Sequence, residues 1–152
     1  MLARGEGGAI VNVASIMGLS GGGLYPNASY QATKGAVVNL TRALAVEWAG
    51  RGIRVNAVAP TWVRTELTRG LFADDALVER VLDLTPMRRL AEPVDVAEAI
   101  AFLCSDRARL GLGPTAGPSE SSLQAGAAVV IASGRARDRT QAPGLRAHGG
   151  SA

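Results

Sequence analysis

The chain reads as an α/β protein with a parallel sheet wound with helices, and three features predict this. Residues 9–14 and 53–58 are short, mostly apolar runs of strand length, as strands covered on both faces require. Between them, residues 28–49 carry a long helical pattern closed by Gly50-Arg51-Gly52, where glycine can take the positive φ that ends a helix. Strand, helix and strand at this length form a βαβ unit, hence a parallel pair joined by a right-handed crossover.

Length and composition bound the rest. At 152 residues the chain can bury one real core. A single cysteine, Cys104, excludes an internal disulfide, and with one histidine, His148, a metal cluster has little to work with. Cys104 falls in an apolar helical pattern and is expected to pack as a buried thiol. Residues 1–106 hold ten basic and eleven acidic groups, a balance of −1, whereas residues 107–152 hold six and two, a balance of +4. The overall +3 is therefore a thin tail excess and makes no case for a nucleic-acid partner. The longest apolar stretches are strand-length, and neither a signal peptide nor a membrane span is visible, so a cytoplasmic location is expected by default.

In chain order, residues 1–8 are glycine-rich and polar and read as a loop. The strand over 9–14 carries Asn12, expected to bond neighbouring loops. Residues 18–23 (Gly-Leu-Ser-Gly-Gly-Gly) form a flexible turn. That turn lacks the G-x-G-x-x-G spacing and the distal acidic residue of a phosphate cradle. The helix over 28–49 has Ser29 near its start as a possible cap, and Ala36, Leu40, Ala43, Leu44 and Val46 suit a face against the sheet. A short helix is expected over 74–84, with Asp74 and Asp75 favouring its N-terminus. Pro93 fits the first turn of a last helix, whose stripe runs through Val94, Val96, Ala97, Ile100, Ala101, Leu103 and Cys104. Beyond residue 108 the chain turns to Gly, Pro, Ser, Ala and Arg; residues 127–132 can form a strand, but 107–152 as a whole is expected to be a disordered tail.

The chemistry gathers at Tyr30-Gln31-Ala32-Thr33-Lys34, where Lys34 is the only lysine in the chain. Four residues apart on a helix, the phenol and the ammonium share one face, about 5–6 Å apart at Cβ. The ammonium favours the phenolate, and a hydroxyl from Ser15, at the end of the first strand, can hydrogen-bond a carbonyl or alcohol oxygen. Such a trio moves a proton to or from oxygen while something else moves a hydride. In open parallel sheets, ligands bind beyond the carboxyl ends of the strands. Ser15, Pro60 and the start of the helix bearing Tyr30 all fall there.

Strand, Ser15, Tyr30-x-x-x-Lys34, the run from Gly35 to Arg42, the strand ending in Pro60, and Arg89-Leu90-Ala91-Glu92-Pro93 resemble the short-chain dehydrogenases and reductases over roughly residues 8–106. The resemblance implies a partial Rossmann-like, doubly wound parallel sheet lacking its N-terminal dinucleotide-binding half, with 1–106 as the C-terminal part of such a domain. It also implies an NAD- or NADP-dependent oxidoreductase that interconverts a small-molecule carbonyl and alcohol. Ser15, Tyr30 and Lys34 would be catalytic, with Tyr30 as acid/base. Tyr30, Lys34, Pro60, Val63 and Thr65 would meet the nicotinamide ribose, carboxamide and nearby phosphate. Where the family usually has glycine after the proline, this chain has Thr61. Residues 66–86 would cover the substrate, with Leu71, Phe72, Leu77 and Met87 as an apolar lining. A homo-oligomer when full length, packed through the Tyr30 helix, is a further implication. The alternative is a non-catalytic remnant that keeps this helix packing as a dimerisation module. A serine hydrolase is disfavoured, since no Gly-x-Ser-x-Gly turn is present.

Overall fold

The structure, a computed structural model, describes residues 1–21, 24–109 and 128–131, the last four as backbone alone. Strands β1 (Gly8–Val13), β2 (Ile53–Pro60) and β3 (Ala128–Ile131) form one sheet in the order β1-β2-β3. β1 and β2 are parallel, in register from Gly8 opposite Ile53 to Val13 opposite Val58, with α1 (Ala28–Trp48) crossing between them. The expected βαβ unit is there. β3 adds an antiparallel neighbour, pairing Pro60 with Ala128 and Ala57 with Ile131, so the sheet is mixed rather than wholly parallel. The tail expectation over 107–152 falls mostly outside the described residues, which include from it only the end of a 3-10 turn (Asp106–Ala108), Arg109 and β3.

Alternation along β2 builds two half-cores. Ile53, Val55, Ala57 and Ala59 face α1, where they meet Ala45, Val38 and Ala14. Val58 points the other way, into a cluster with Leu103 and Ala108 that Val11, Val96 and Ile100 complete from β1 and from α3 (Pro93–Cys104). β2 is thus sealed on both sides, which explains its apolar run. Asn12 acts structurally: its Nδ2 donates to Thr41 Oγ1 at 2.9 Å, and Thr41 in turn donates to Val37 O at 2.8 Å, tying β1 to α1.

The buried side of α1 differs from the expected one. Val38, Thr41 and Ala45 are buried, with Val37, Leu44 and Trp48 partly so. Ala36, Leu40, Ala43 and Val46 face solvent, Leu40 at 52% and Val46 at 76% exposure. Ser29 lies inside the helix. The N-cap is Asn27, whose Oδ1 accepts from Gln31 Nε2 rather than from the backbone.

α2 (Asp75–Asp83) begins as expected, with Asp74 as a true cap accepting from Leu77 N at 3.1 Å. In α3, Pro93 occupies the first turn, and Asp95 Oδ2 accepts from the Glu92 N–H at 2.8 Å. Arg89 donates two bonds to the same carboxylate, at 2.7 and 3.1 Å. The Arg89 bond, then the Glu92 N–H, hold the Asp95 carboxyl down at about 2. At the other end of α3, Arg54 from β2 donates to Leu103 O (2.7 Å), Ala108 O (3.3 Å), Cys104 O (3.3 Å) and Ser105 O (3.1 Å). Leu103 O and Cys104 O are carbonyls of the kind a helix end leaves without partners, and the other two belong to the 3-10 turn that follows. Cys104 itself is exposed, not packed, because Leu103 turns toward the sheet and leaves its neighbour outside.

Candidate active site

Ser15 follows β1 in extended conformation, and the ladder continues one residue past the strand through Ala14 N to Val58 O at 2.8 Å. Its hydroxyl accepts from Met17 N at 3.2 Å and so caps a 3-10 turn, Ile16–Gly18. The residue is 7% exposed, so its position is set by packing as well as by the cap. That turn lies directly on α1: a Cβ at Gly18 would stand 2.6 Å from the carbonyl carbon and oxygen of Lys34. Only glycine permits this approach, which sets the spacing between the Ser15 loop and the helix opposite.

Tyr30 lies in the first turn of α1 and is 40% exposed. Lys34, one turn on, reaches across to the end of β1, where Nζ donates to Val13 O at 2.9 Å. From there the ammonium lies over the Tyr30 ring, 5.7 Å from its centroid. The lysine therefore ties helix to strand and charges the face of the phenol at once.

Beyond Pro60, the loop is fastened to residues before α3. Val63 and Ala91 form a parallel bridge, with Arg64 N donating to Ala91 O at 2.8 Å and Ala91 N to Trp62 O at 2.9 Å. Thr68 Oγ1 donates to Val63 O at 2.7 Å and shares a hydrogen bond with Thr65 Oγ1 at 3.1 Å. Strand ends, helix start and this loop enclose a cavity of about 420 Å³. All six sequence-predicted residues, Ser15, Tyr30, Lys34, Pro60, Val63 and Thr65, line it. Of the four expected apolar lining residues only Leu71 does; Leu77 is half-buried elsewhere, Phe72 lies beneath Arg64, and Met87 is 59% exposed. The covering segment turns away after Leu71: Phe72 stays in the 3-10 turn Leu71–Ala73, Leu77 is carried off in α2, and Met87 lies beyond it.

Sequence reasoning did not single out Tyr25, Asn27, Trp62 or Thr68 as site residues; all four are in the wall. Tyr25 and Trp62 contact each other, ring centroids 6.2 Å apart and tilted by 58°. The signal available was Tyr25-Pro26-Asn27 just before a helix start, a rigid entry bound to overhang the strand ends. Among the described residues no group of three His, Cys, Asp or Glu is placed to hold a metal, and no helix is long and apolar enough to cross a membrane. The donors present, two hydroxyls of Ser15 and Thr65, a phenol and an ammonium, suit the ribose and carboxamide of a nicotinamide. The glycine-rich stretch between β1 and α1, residues 18–23, lacks the G-x-G-x-x-G spacing of a cradle for an adenosine pyrophosphate.

A family model described as enoyl-(acyl carrier protein) reductase matches residues 1–115. The galactitol 2-dehydrogenase (L-tagatose-forming) of Cereibacter sphaeroides is 52% identical over 108 residues, which are 71% of this chain and 42% of that protein. A 3-oxoacyl-(acyl-carrier-protein) reductase of Staphylococcus epidermidis is 42% identical over 112 residues, 74% of this chain and 44% of that one. Among solved structures, a gluconate 5-dehydrogenase of Burkholderia cenocepacia in complex with NADP and tartrate superposes with a TM-score of 0.66 at 35% identity, over 72% of this chain and 42% of that one. The chain thus spans less than half the length of the curated relatives it matches. β1, β2, the helices and the strand-end cavity fall within the matched residues 1–115, and the chain belongs to the short-chain dehydrogenase/reductase family.

Proposed function

We propose that this cavity is the nicotinamide end of an NAD- or NADP-dependent oxidoreductase site that interconverts a small-molecule carbonyl and alcohol, with Tyr30 as acid/base. One observation carries the reading: Ser15, Tyr30 and Lys34, from two elements, line a single cavity at the carboxyl ends of β1 and β2. A nicotinamide, when bound, supplies the hydride for reduction or takes it in oxidation. In reduction, the Tyr30 hydroxyl gives its proton to the substrate oxygen as that oxygen gains the carbonyl π pair. The Ser15 hydroxyl donates a hydrogen bond to the same oxygen and fixes its direction. The half-open position of Tyr30 lets the phenolate regain a proton from water. Lys34 spends one N–H on Val13 and keeps two for a ribose. Pro60, Val63 and Thr65 hold the other side of the nicotinamide.

Saturable NADH or NADPH binding is not expected of this chain alone, because the described residues offer no holder for the adenosine half; saturable binding seen by fluorescence refutes that. Turnover is therefore tested with an adenosine-binding half joined to the chain, against a panel of ketones and alcohols. Tyr30→Phe should lose turnover by about 10²–10⁴-fold while cofactor affinity stays within a few-fold. Turnover that survives the change sinks the acid/base assignment.

A second reading is favoured by the exposed apolar residues of α1, Leu40 and Val46 with Ala36 and Ala43. It makes this helix a homo-oligomer contact that operates with or without chemistry. Leu40→Glu should shift the sedimentation of an oligomer toward monomer; an unchanged profile removes this role.

A further inference from the structure

We infer that the outer edge of β1 is a pairing surface for a second copy of this chain, which adds there as an antiparallel strand. The ladder fixes which groups are on offer. Gly8 N donates to Gly52 O and Ala14 N to Val58 O, so the even-numbered residues of β1 turn their backbone groups toward β2. Ala9, Val11 and Val13 turn theirs the other way. No described strand lies on that side, because the sheet runs β1-β2-β3. Among the described residues the edge is met only by Lys34, whose Nζ donates to Val13 O at 2.9 Å. The N–H groups of Ala9, Val11 and Val13 and the carbonyls of Ala9 and Val11 have no partner there, and Val13 O keeps a second lone pair.

Such an edge is ordinarily defended by a charge, a proline or a bulge. β1, Gly-Ala-Ile-Val-Asn-Val, has none of the three and stays in unbroken register with β2. Burial agrees. Every residue of β2 except Arg54 is buried, whereas none of β1 is, and Val13 is 47% exposed.

The edge is also complementary to itself. Turned about a two-fold axis at Val11, Ala9 of one copy meets Val13 of the other, and Val11 meets Val11. Each becomes a hydrogen-bonded pair of an antiparallel ladder, so every outward N–H finds a carbonyl, Val13 O accepting through its second lone pair. β1 is used up in both copies, and the contact closes at two. Charge does not oppose it. Arg4 and Glu6, just before the strand, are paired with each other at 3.0 Å. The two Lys34 ammoniums, each at a Val13, stand four residues apart along the pair, about 13 Å, beyond the ~8 Å over which exposed charges act in physiological salt. The surface abuts the cavity, since Val13 both anchors Lys34 and lines it, but nothing in the pairing depends on the chemistry proposed there.

Sedimentation velocity over a concentration series, with amide hydrogen exchange read residue by residue, tests this on the chain as it stands. A monomer–dimer equilibrium is expected, in which the Ala9, Val11 and Val13 amides exchange more slowly as dimer forms. The side-chain resonance of Lys34, the only lysine of the chain, should move with them. Ala9→Pro removes an outward N–H and leaves the β2 ladder its donors, so it should weaken the dimer by about 10-fold or more. Ala9→Val keeps that N–H and should stay within about 3-fold of the parent, which guards against a folding defect. A monomer at every concentration overturns the inference, as does a dimer whose three amides exchange freely. So does a monomer with those amides protected, since another segment then covers the edge. Equal weakening by the two variants, or a dimer that survives Ala9→Pro and dissolves in Leu40→Glu, overturns it as well.

Discussion

The approach of Gly18 to the backbone of Lys34 makes a sharp prediction about how the site is held. A methyl at position 18 would lie 2.6 Å from the Lys34 carbonyl carbon and oxygen and 2.9 Å from Gly35 N. Ordinary contact begins near 3.4 Å, so the turn and α1 must separate by about 0.8 Å. No rotamer change relieves this, because every clashing atom is backbone. Overpacking of this kind costs about 1–3 kcal/mol. Ser15 is on one side of the forced gap and Tyr30 and Lys34 on the other, and a displacement near 1 Å at a reacting group costs about 10²-fold in rate. Gly35, facing Gly18 across the same contact, is the control: its Cβ would meet Gly18 O at 3.6 Å, an ordinary distance. Alanine there should stabilise by about 0.5–1 kcal/mol through helix propensity. Urea denaturation of the two variants beside the parent checks both. If Gly18→Ala unfolds at the parent midpoint, or Gly35→Ala is harmed as much, the close-approach argument is wrong.

Three more outcomes are expected. Arg54→Ala removes the guanidinium that bonds four carbonyls of the α3 end and the 3-10 turn after it, and should cost about 2–3 kcal/mol in denaturant unfolding. Arg54→Lys should recover only part, since one ammonium cannot span the four acceptors, and full recovery would deny the fork geometry its role. Thr41→Val keeps the shape of a fully buried side chain but leaves Asn12 Nδ2 without a partner; a loss of about 1–3 kcal/mol is expected, and a neutral result refutes it. Asp95 has a folded pKa of about 2, below the ordinary carboxyl value, so its contribution is present above pH ~4 and is lost as pH falls through about 2. Thermal midpoints of the parent and Asp95→Asn should therefore differ at pH 7 and converge near pH 2; a gap that persists there contradicts the pairing.

What the sequence disclosed followed from where each signal is local. Pro93 and Asp74 mark helix starts through chemistry confined to one turn, and both starts stand where they were expected. β2 was legible because a strand sealed on both faces has no choice but to be apolar throughout, and β1, only partly covered, shares its apolar character. The same uniformity hid the orientation of α1. Val37, Val38, Leu44 and Ala45 are as apolar as Ala36, Leu40, Ala43 and Val46, so periodicity cannot say which set meets the sheet; the Asn12–Thr41 bond, a long-range fact, says it. Cys104 failed for a related reason, since Leu103, its neighbour in the same apolar stripe, is the one that meets the sheet.

The site divides along the same line. Ser15, Tyr30 and Lys34 sit at the ends of regular elements, where spacing along the chain fixes position in space, and so the proposed proton chemistry rests on a short motif. Tyr25, Asn27 and Trp62 are in loops that meet only because β1 and β2 are neighbours. No spacing within the chain encodes that meeting. A family can therefore keep its reaction in a few residues on rigid elements and leave its substrate to the connections between them. That division is why the proposed reaction class can be argued before the fold is seen, and the aromatic wall only afterwards.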